Sequence, residues 1–363
     1  MPTAEAKQIR QFPCKKCGAS LEFKPGASSL ACPYCGHKEE IPQTKEQIQE
    51  YAFNDRLAPP KNKGYGEAKR TAKCPRCAAQ TSVDMQVEST RCAFCGTPIV
   101  IDDAASAELD NVIRPEAILP FKIEKTQAEQ RFRDWVKGLW FAPNTLKNFA
   151  ALEKIVGLYR PYWTFDAHTA NWYEGERGDH YYETEHYTET VNGKTEHRTR
   201  QVQKTRWSHR SGSFERFFDD VLVDAGRDIS WRTKFNLAEL VPFNPTIMAG
   251  WNAERYTLEL DPGWGKAKEE IDHELYSDAC GRIGGDEQRG VSVKTAYSGI
   301  CYKHILLPLF MASYQYGQET YRFQVNGQTG EVNGNRPWSF WKIFFLVAGI
   351  IGAIVLFMAL SNR

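Results

Sequence analysis

The chain has 363 residues, 42% hydrophobic and 25% charged, which leaves room for two or three folded units and a sizeable core. Lys and Arg (46) balance Asp and Glu (45) to a formal charge of +1, so no global field draws the molecule to nucleic acid or an anionic surface. The start, MPTAEAKQIRQFP, has no apolar run behind its charges, which predicts neither a secretory signal nor a transit peptide and places the N-terminus in the cytoplasm.

Eight of the ten cysteines stand in four C-x-x-C pairs, a spacing that suits a metal and not a disulfide framework. They belong to an internal repeat at an offset of sixty, residues 12–41 and 72–101, with the second unit taken to 72–103, in which Cys14, Cys17, Cys32 and Cys35 map onto Cys74, Cys77, Cys92 and Cys95. Each copy reads C-x2-C-x14-C-x2-C. Two knuckles joined by a hairpin then offer four thiolates at tetrahedral corners, so two small β zinc ribbons are predicted, each with one structural Zn2+ and no open ligand position. Gly18, Gly36 and Gly96 follow three of the four second cysteines and relieve the turn there; Ala78 departs from that pattern. Modules of this size cannot be stable through a core alone, so metal must supply much of their folding free energy. His37, beside a complete four-cysteine set, reads as an exposed residue and not a ligand. Cys280 and Cys301 read as small buried apolar residues.

Between the repeats, residues 42–71 predict a short helix, with Thr44 and Gln47 as a capping box before Ile48, Tyr51 and Ala52, followed by a flexible linker, APPKNKGYGEAKR. The two ribbons are thus expected to need no fixed relative orientation. Residues 1–111 hold 15 Lys or Arg against 14 Asp or Glu, which is not the basic footprint of a DNA-binding module and favours protein docking. Lys61, Lys63, Lys69, Arg70 and Lys73 form one local basic cluster, readable equally as a headgroup contact near a membrane or as a solvated linker, the latter being taken by default.

Residues 112–335 predict an α+β domain with an antiparallel sheet. Helices are expected from Thr126 to Lys137, from Asn144 to Lys154, and from Trp264 to Ala279 with Ala267, Ile271 and Leu275 on its inner stripe. Strands are expected at 156–173, 179–190, 195–208, 254–260, 291–302, 305–316 and in a closing pair near Asn326. Asn192 and Gly193 favour a two-residue turn pairing Val191 with Lys194, which sets Arg200 opposite Glu185 and Arg206 opposite Asp179. The basic stripe of 198–210 is therefore answered by acidic partners, and the hairpin of about 179–208 reads as a protruding polar arm. Asp166, His168, Glu174 and Glu176 share one aromatic-rich strand, but no nucleophile elbow, zincin helix or phosphate loop accompanies them, so no enzyme is predicted. IGGDEQRG (283–290) reads as a turn, and His273 and His304 as structural histidines.

Residues 340–360 predict a single transmembrane helix: eighteen residues from Ile343 to Leu360 carry no charge or strongly polar group, enough to cross a bilayer. Trp338 and Trp341 fall where an interfacial belt belongs, and Arg336 and Lys342 can reach headgroups on that side. This reads as a tail anchor in the cytoplasmic membrane, with the ribbons in the cytoplasm. Ala348 with Gly352, or Gly349 with Ala353, offers a small-residue face for helix pairing and hence an oligomer.

The paired four-cysteine ribbons, the runs LPFKIEKTQA, GLWFAPNTL, YRPYWTFDAHT, YEGERGDHYYETE, FDDVLV, IGGDEQR and VNGQTGEVNGNRPWS, and the final span resemble a bacterial family of membrane-anchored double-zinc-ribbon proteins. The resemblance covers essentially the whole chain. Members often carry a label borrowed from the primosomal replication-restart helicase, whose motor motifs this sequence lacks. The resemblance implies a membrane adaptor that recruits an SPFH-domain (flotillin-like) or membrane-stress protein. The expected function is therefore a non-enzymatic, zinc-ribbon adaptor at the membrane, the alternative being a membrane-tethered nucleic-acid-binding protein.

Overall fold

Three segments rich in aromatic and β-branched residues, the kind that suit a half-buried pleated surface, form unusually long strands: β1 (Val156–Val191), β2 (Lys194–Asp224) and β3 (Glu287–Tyr316). The structure, a computed structural model, describes residues 12–19, 21–27, 29–41, 47–53, 69–74, 79–84, 89–92, 97–100, 113–143, 155–191, 194–226, 233–316 and 319–361. β1 is central, antiparallel to β2 on one side and to β3 on the other. β4 (Glu319–Asn326) and β5 (Val332–Gly334) extend the sheet beyond β3. What the sequence divides into separate strands at 156–173 and 179–190, and at 291–302 and 305–316, is continuous in each case.

The long strands curve through bulges. Asp219 and Asp220 together oppose Asp166, and Asp220 takes a left-handed conformation (φ 52°). On the other flank, β3 shifts register at Gly299 and Gly290, both with φ 60°, the backbone state that glycine adopts without steric penalty. The turn expected from IGGDEQRG is confined to Gly284 and Gly285, both left-handed, and β3 begins at Glu287.

α1 (Lys125–Gly138) starts with Gln127 accepting the backbone N–H of Glu124 (3.0 Å), two positions before the expected cap, and stacks Phe132 on Phe323 of β4 at 3.5 Å. α2 (Leu260–Ile283) buries Ala267, Ile271, Leu275 and Ala279, with Ile271, Leu275 and Ala279 packed against Ala167, Phe214 and Phe218 of the sheet. It starts four residues earlier than its apolar stripe suggests. The strand expected at 254–260 is therefore reduced to Asn252–Glu254, which pairs parallel to β1 at Leu158 and Tyr159. The helix expected at 144–154 lies outside the described residues.

The segment 47–53 is not helical. Tyr51 and Ala52 pair with Tyr302 and Cys301 of β3, Phe53 is buried against Phe165 and Trp264, and Glu116 accepts from Gln49 N–H (3.2 Å) and Tyr51 O–H (3.0 Å). Burying Phe53 and completing an edge of the sheet outweigh the local helical preference.

Both cysteine-bearing segments, ribbon 1 (12–41) and ribbon 2 (the described parts of 69–100), meet the domain on one ledge, residues 245–254. The 3-10 turn Pro245–Met248 leads to Ala249, whose carbonyl accepts Phe23 N–H (3.1 Å), and to Trp251, whose indole N–H donates to Phe23 O (3.1 Å). Leu21, Phe23 and Leu30 of ribbon 1 join the main core there. Two and three residues on, Ala253 and Glu254 pair with Ser82 and Thr81 of the second ribbon's hairpin, Lys69–Lys73 with Gln80–Asp84. That hairpin begins at Lys69, ahead of the boundary expected at residue 72. The expectation of ribbons without fixed orientation does not hold at these contacts, since backbone pairing fixes register as well as proximity.

Arg160, fully buried near the start of β1, braces the ledge. Its Nε donates to both Asp224 oxygens (2.8 and 2.9 Å) and its Nη1 to Glu254 Oε2 (2.9 Å), with Glu254 1% exposed. Gly226 closes over the pair: a Cβ there would sit 2.7 Å from Glu254 Oε2.

Beyond Gly178, where β3 ends its pairing, β1 and β2 continue as a two-stranded arm. The register is the one the Asn-Gly turn predicts: Val191 opposes Lys194, Glu185 opposes Arg200 and Asp179 opposes Arg206. Arg200 pairs with Glu185 (3.0 Å) and Lys204 with Glu183 (2.6 Å), while Asp179 accepts from Arg177 and Arg206 lies over the Tyr181 ring. Such exposed pairs each contribute only tenths of a kcal/mol. Replacing residues 182–203 with a two-residue Asn-Gly turn is expected to leave the thermal midpoint within roughly 3 °C of the parent. A cooperative loss of the whole sheet by circular dichroism would show that the arm is part of the core.

Candidate metal centre

A C-x-x-C knuckle folds because its first cysteine can bond forward along its own chain. Cys14 N–H donates to Ala19 O (2.7 Å) and Cys32 N–H to His37 O (2.8 Å), while Gly18 and Gly36 N–H return to Cys14 O and Cys32 O (2.8 and 3.1 Å). The glycines sit at φ 76° and 70°, so the turn uses a conformation that a side chain would resist. Short strands Glu22–Phe23, Ser29–Ala31 and Lys38–Glu40 bring the two knuckles together.

The four sulfurs of ribbon 1 consequently converge. Cys14 Sγ lies 3.5 Å from Cys35 Sγ, Cys17 Sγ lies 3.5 Å from Cys32 Sγ, and all four are within 4.8 Å of one another. A tetrahedron with metal–sulfur arms of about 2.3 Å has edges of about 3.8 Å, so the set is of the size that binds one ion. The electrostatics point the same way. Backbone N–H groups of Cys35 and Tyr34 pull the Cys32 thiol down to about 7. Although the Ala19 N–H lowers Cys17, the sulfurs of Cys35 and Cys32 beside it push it up to about 12. Sulfurs this close cannot all ionise without a cation among them. These four cysteines could therefore bind a metal ion. His37 turns away to Glu39 (3.5 Å) and is no ligand.

In ribbon 2, Cys77 and Cys95 lie outside the described residues. Cys74 and Cys92 are buried, and their N–H groups donate to Ala79 O (2.8 Å) and Thr97 O (2.9 Å). That is the same five-residue step seen at Cys14 and Cys32, so the backbone signature of the knuckle occurs at all four first cysteines.

The residues weighed for catalysis do not form a unit. Asp166 is buried at the bulge, whereas Glu174 pairs toward Ser292 and Glu176 toward Arg289, and His168 packs on Phe217. His304 is buried with its Nδ1 2.7 Å from Ile113 O, and burial pushes it down to about 4, so it is neutral and structural. Sequence reasoning missed the partners of Asp166, namely Glu50, Asp220 and Lys303. Glu50 and Asp220 approach Asp166 closely enough to suggest a cation site, but Lys303 Nζ already lies 2.7 Å from each of the two. Burial alone would lower Lys303, yet the Asp220 and Glu50 carboxylates outweigh it and hold the ammonium charged. Only the strand register, which sets Asp166 opposite Asp219 and Asp220 and beside Cys301, could have brought these residues together from sequence.

Burial and the Glu50 carboxylate push Asp166 up to about 6, against the opposing pull of Asp220 N–H (2.8 Å). Glu50 is lowered by Lys303 and by its hydrogen bond with Asp166. The folded protein therefore binds more protons at Asp166 than the unfolded chain between pH about 4 and 6, and this contribution to stability is lost as pH rises through that window. Asp166→Asn keeps both hydrogen bonds without titrating. It is expected to match the parent near pH 4 and to exceed it by about 1–2 kcal/mol at pH 7, measured by urea unfolding. Equal differences at both pH values would contradict the assignment.

The C-terminal helix, α3 (Phe340–Ser361), exposes apolar side chains on every face. Its Phe340–Leu360 stretch of 21 residues is long and apolar enough to cross a membrane, about 31 Å at helical rise against a hydrocarbon core of about 30 Å.

No family model matches the chain, and no solved structure matches it. The chain is similar to an uncharacterized protein of Bacillus subtilis (strain 168), YdjG, at 28% identity over 364 residues, covering 98% of each.

Proposed function

We propose that the chain is a membrane-anchored, non-enzymatic adaptor in which two structural zinc ions hold ribbons that bind a cytoplasmic protein. The observation that carries this reading is the aspect of ribbon 1. Its inner residues Leu21, Phe23 and Leu30 pack on the domain, while the knuckles face solvent with Tyr34, in CPYCG, 83% exposed. An exposed aromatic on a rigid, metal-held turn loses little entropy on binding and is the residue type that anchors interfaces. Thiolate donors in a closed set of four suit zinc and leave no position for chemistry. The resemblance noted above points to an SPFH-domain partner.

The test is a pull-down from detergent-solubilised membranes comparing the intact chain with Tyr34→Ala and Cys32→Ser. Both variants should lose the same partner, with Tyr34→Ala retaining its zinc. Retention of all partners by Cys32→Ser would remove the ribbons from the docking role. Tight, steeply salt-dependent DNA binding by the intact chain would favour the nucleic-acid reading instead.

A further inference from the structure

The structure assigns a second point of contact with the bilayer interface: the loop of residues 139–142 at the end of α1, which presents Trp140. The assignment rests on the membrane-spanning reading of α3 and goes beyond it by fixing how the domain sits against the lipid. Leu139 caps α1 through its N–H to Val136 O (3.1 Å), and Ala142 N–H closes the turn to Leu139 O (3.3 Å). Leu139 and Ala142 are buried, but Trp140 between them is 76% exposed.

This loop is bonded to the root of α3 across some two hundred positions of sequence. Ser339 N–H donates to Phe141 O (2.7 Å), and Lys342 Nζ donates to Trp140 O (3.1 Å) and Ala142 O (2.8 Å). Phe141 lies against Trp338 (6.2 Å between centroids), whose ring also carries the Arg336 guanidinium at 4.5 Å. If α3 spans the bilayer, its first turn lies at headgroup depth, and a loop hydrogen-bonded to that turn lies at the same depth. Trp140 then joins Trp338 and Trp341 in one aromatic collar, two from the helix root and one from α1.

The chemistry fits that depth. An indole is apolar with one N–H donor and partitions to the membrane interface, while Arg336 and the carbonyl-held Lys342 put positive charge at the depth of the phosphates. In water, a tryptophan exposed this far gains nothing from its position. A helix alone leaves a domain free to swing about its root. A second contact, off the helix axis, removes that freedom and holds α1 end-on to the lipid surface.

The experiment uses the full-length protein in phosphatidylcholine and phosphatidylglycerol vesicles, with bromine placed either high on the acyl chains or near the bilayer centre. Tryptophan quenching is compared for the parent, Trp140→Phe and the Trp338→Phe/Trp341→Phe double variant. Bromine high on the chains should quench the parent, and Trp140→Phe should lower the quenched fraction by roughly a third, the share of one indole in three. Central bromine should quench none of the three. If Trp140→Phe leaves quenching unchanged while the double variant abolishes it, the span stands and the second contact is wrong, Trp140 then being free for a protein partner. If neither variant alters quenching and alkaline carbonate releases the protein from vesicles, the span itself fails and the second contact with it. Trp140 is exposed and its replacement aromatic, so loss of fold is not expected; circular dichroism of each variant verifies this.

Discussion

Replacing Arg160 with methionine is expected to destabilise the protein by about 3–5 kcal/mol, the range for removing one partner of a buried ion pair. The side chain is fully buried, as is Glu254, which it neutralises. Methionine fills much of the same volume, so the loss is electrostatic: Glu254 is left in a low-dielectric site, with Gly226 close over it, without the guanidinium that neutralised it. Adding Glu254→Gln should restore part of the loss, because it removes the stranded charge while keeping a polar group in place. The double-mutant cycle is measured by urea unfolding of the full chain in detergent. The effect should also be local, because Glu254 belongs to the strand that pairs with Thr81, so protease sensitivity at the second ribbon should rise before the sheet unfolds. A single-variant loss below about 1 kcal/mol would show that Arg160 does not brace the ledge.

Removing metal is the second large perturbation. On the zinc reading, apparent binding energies of about 10–16 kcal/mol per structural site mean that a ribbon of this size has no stable folded form without its ion. Chelation should therefore unfold ribbon 1, break the bond from Trp251 to Phe23 O and expose the ledge. The expected signature is a change in tryptophan emission together with new proteolytic cuts within residues 12–41, while the long sheet keeps its circular dichroism. Elemental analysis should find two zinc ions per intact chain and one in Cys32→Ser or Cys92→Ser. Persistent protection of residues 12–41 in metal-free protein would sink the structural-metal role.

The parts legible in the sequence are those with short-range rules. Cysteine spacing brings the four sulfurs of ribbon 1 together, the Asn192-Gly193 turn sets the arm's register residue by residue, and the apolar periodicity of 264–279 marks α2. What the sequence hides is decided at long range. Tyr51 and Ala52 carry helical spacing but become a strand because β3 offers an unpaired edge, and Glu50 follows them to Lys303. Arg160 sits in the aromatic run YRPYW with no local acidic neighbour to announce its role; its partners are 64 and 94 positions away. The candidate metal site was thus readable from composition and spacing, while the ledge that holds the ribbons was not.

The ledge also sets an order of events during synthesis. Phe23 and Trp251 are 228 positions apart, so at about 5–20 residues per second ribbon 1 waits some 10–45 s before its docking surface has been made. During that interval Leu21, Phe23 and Leu30 lack the ledge residues that complete their cluster in the folded chain. A ribbon held by metal can keep its own shape through the wait, with its apolar face presented but its backbone already committed. On the zinc reading, metal supply during synthesis, rather than in the finished protein, would then decide how much of the chain reaches its native docking.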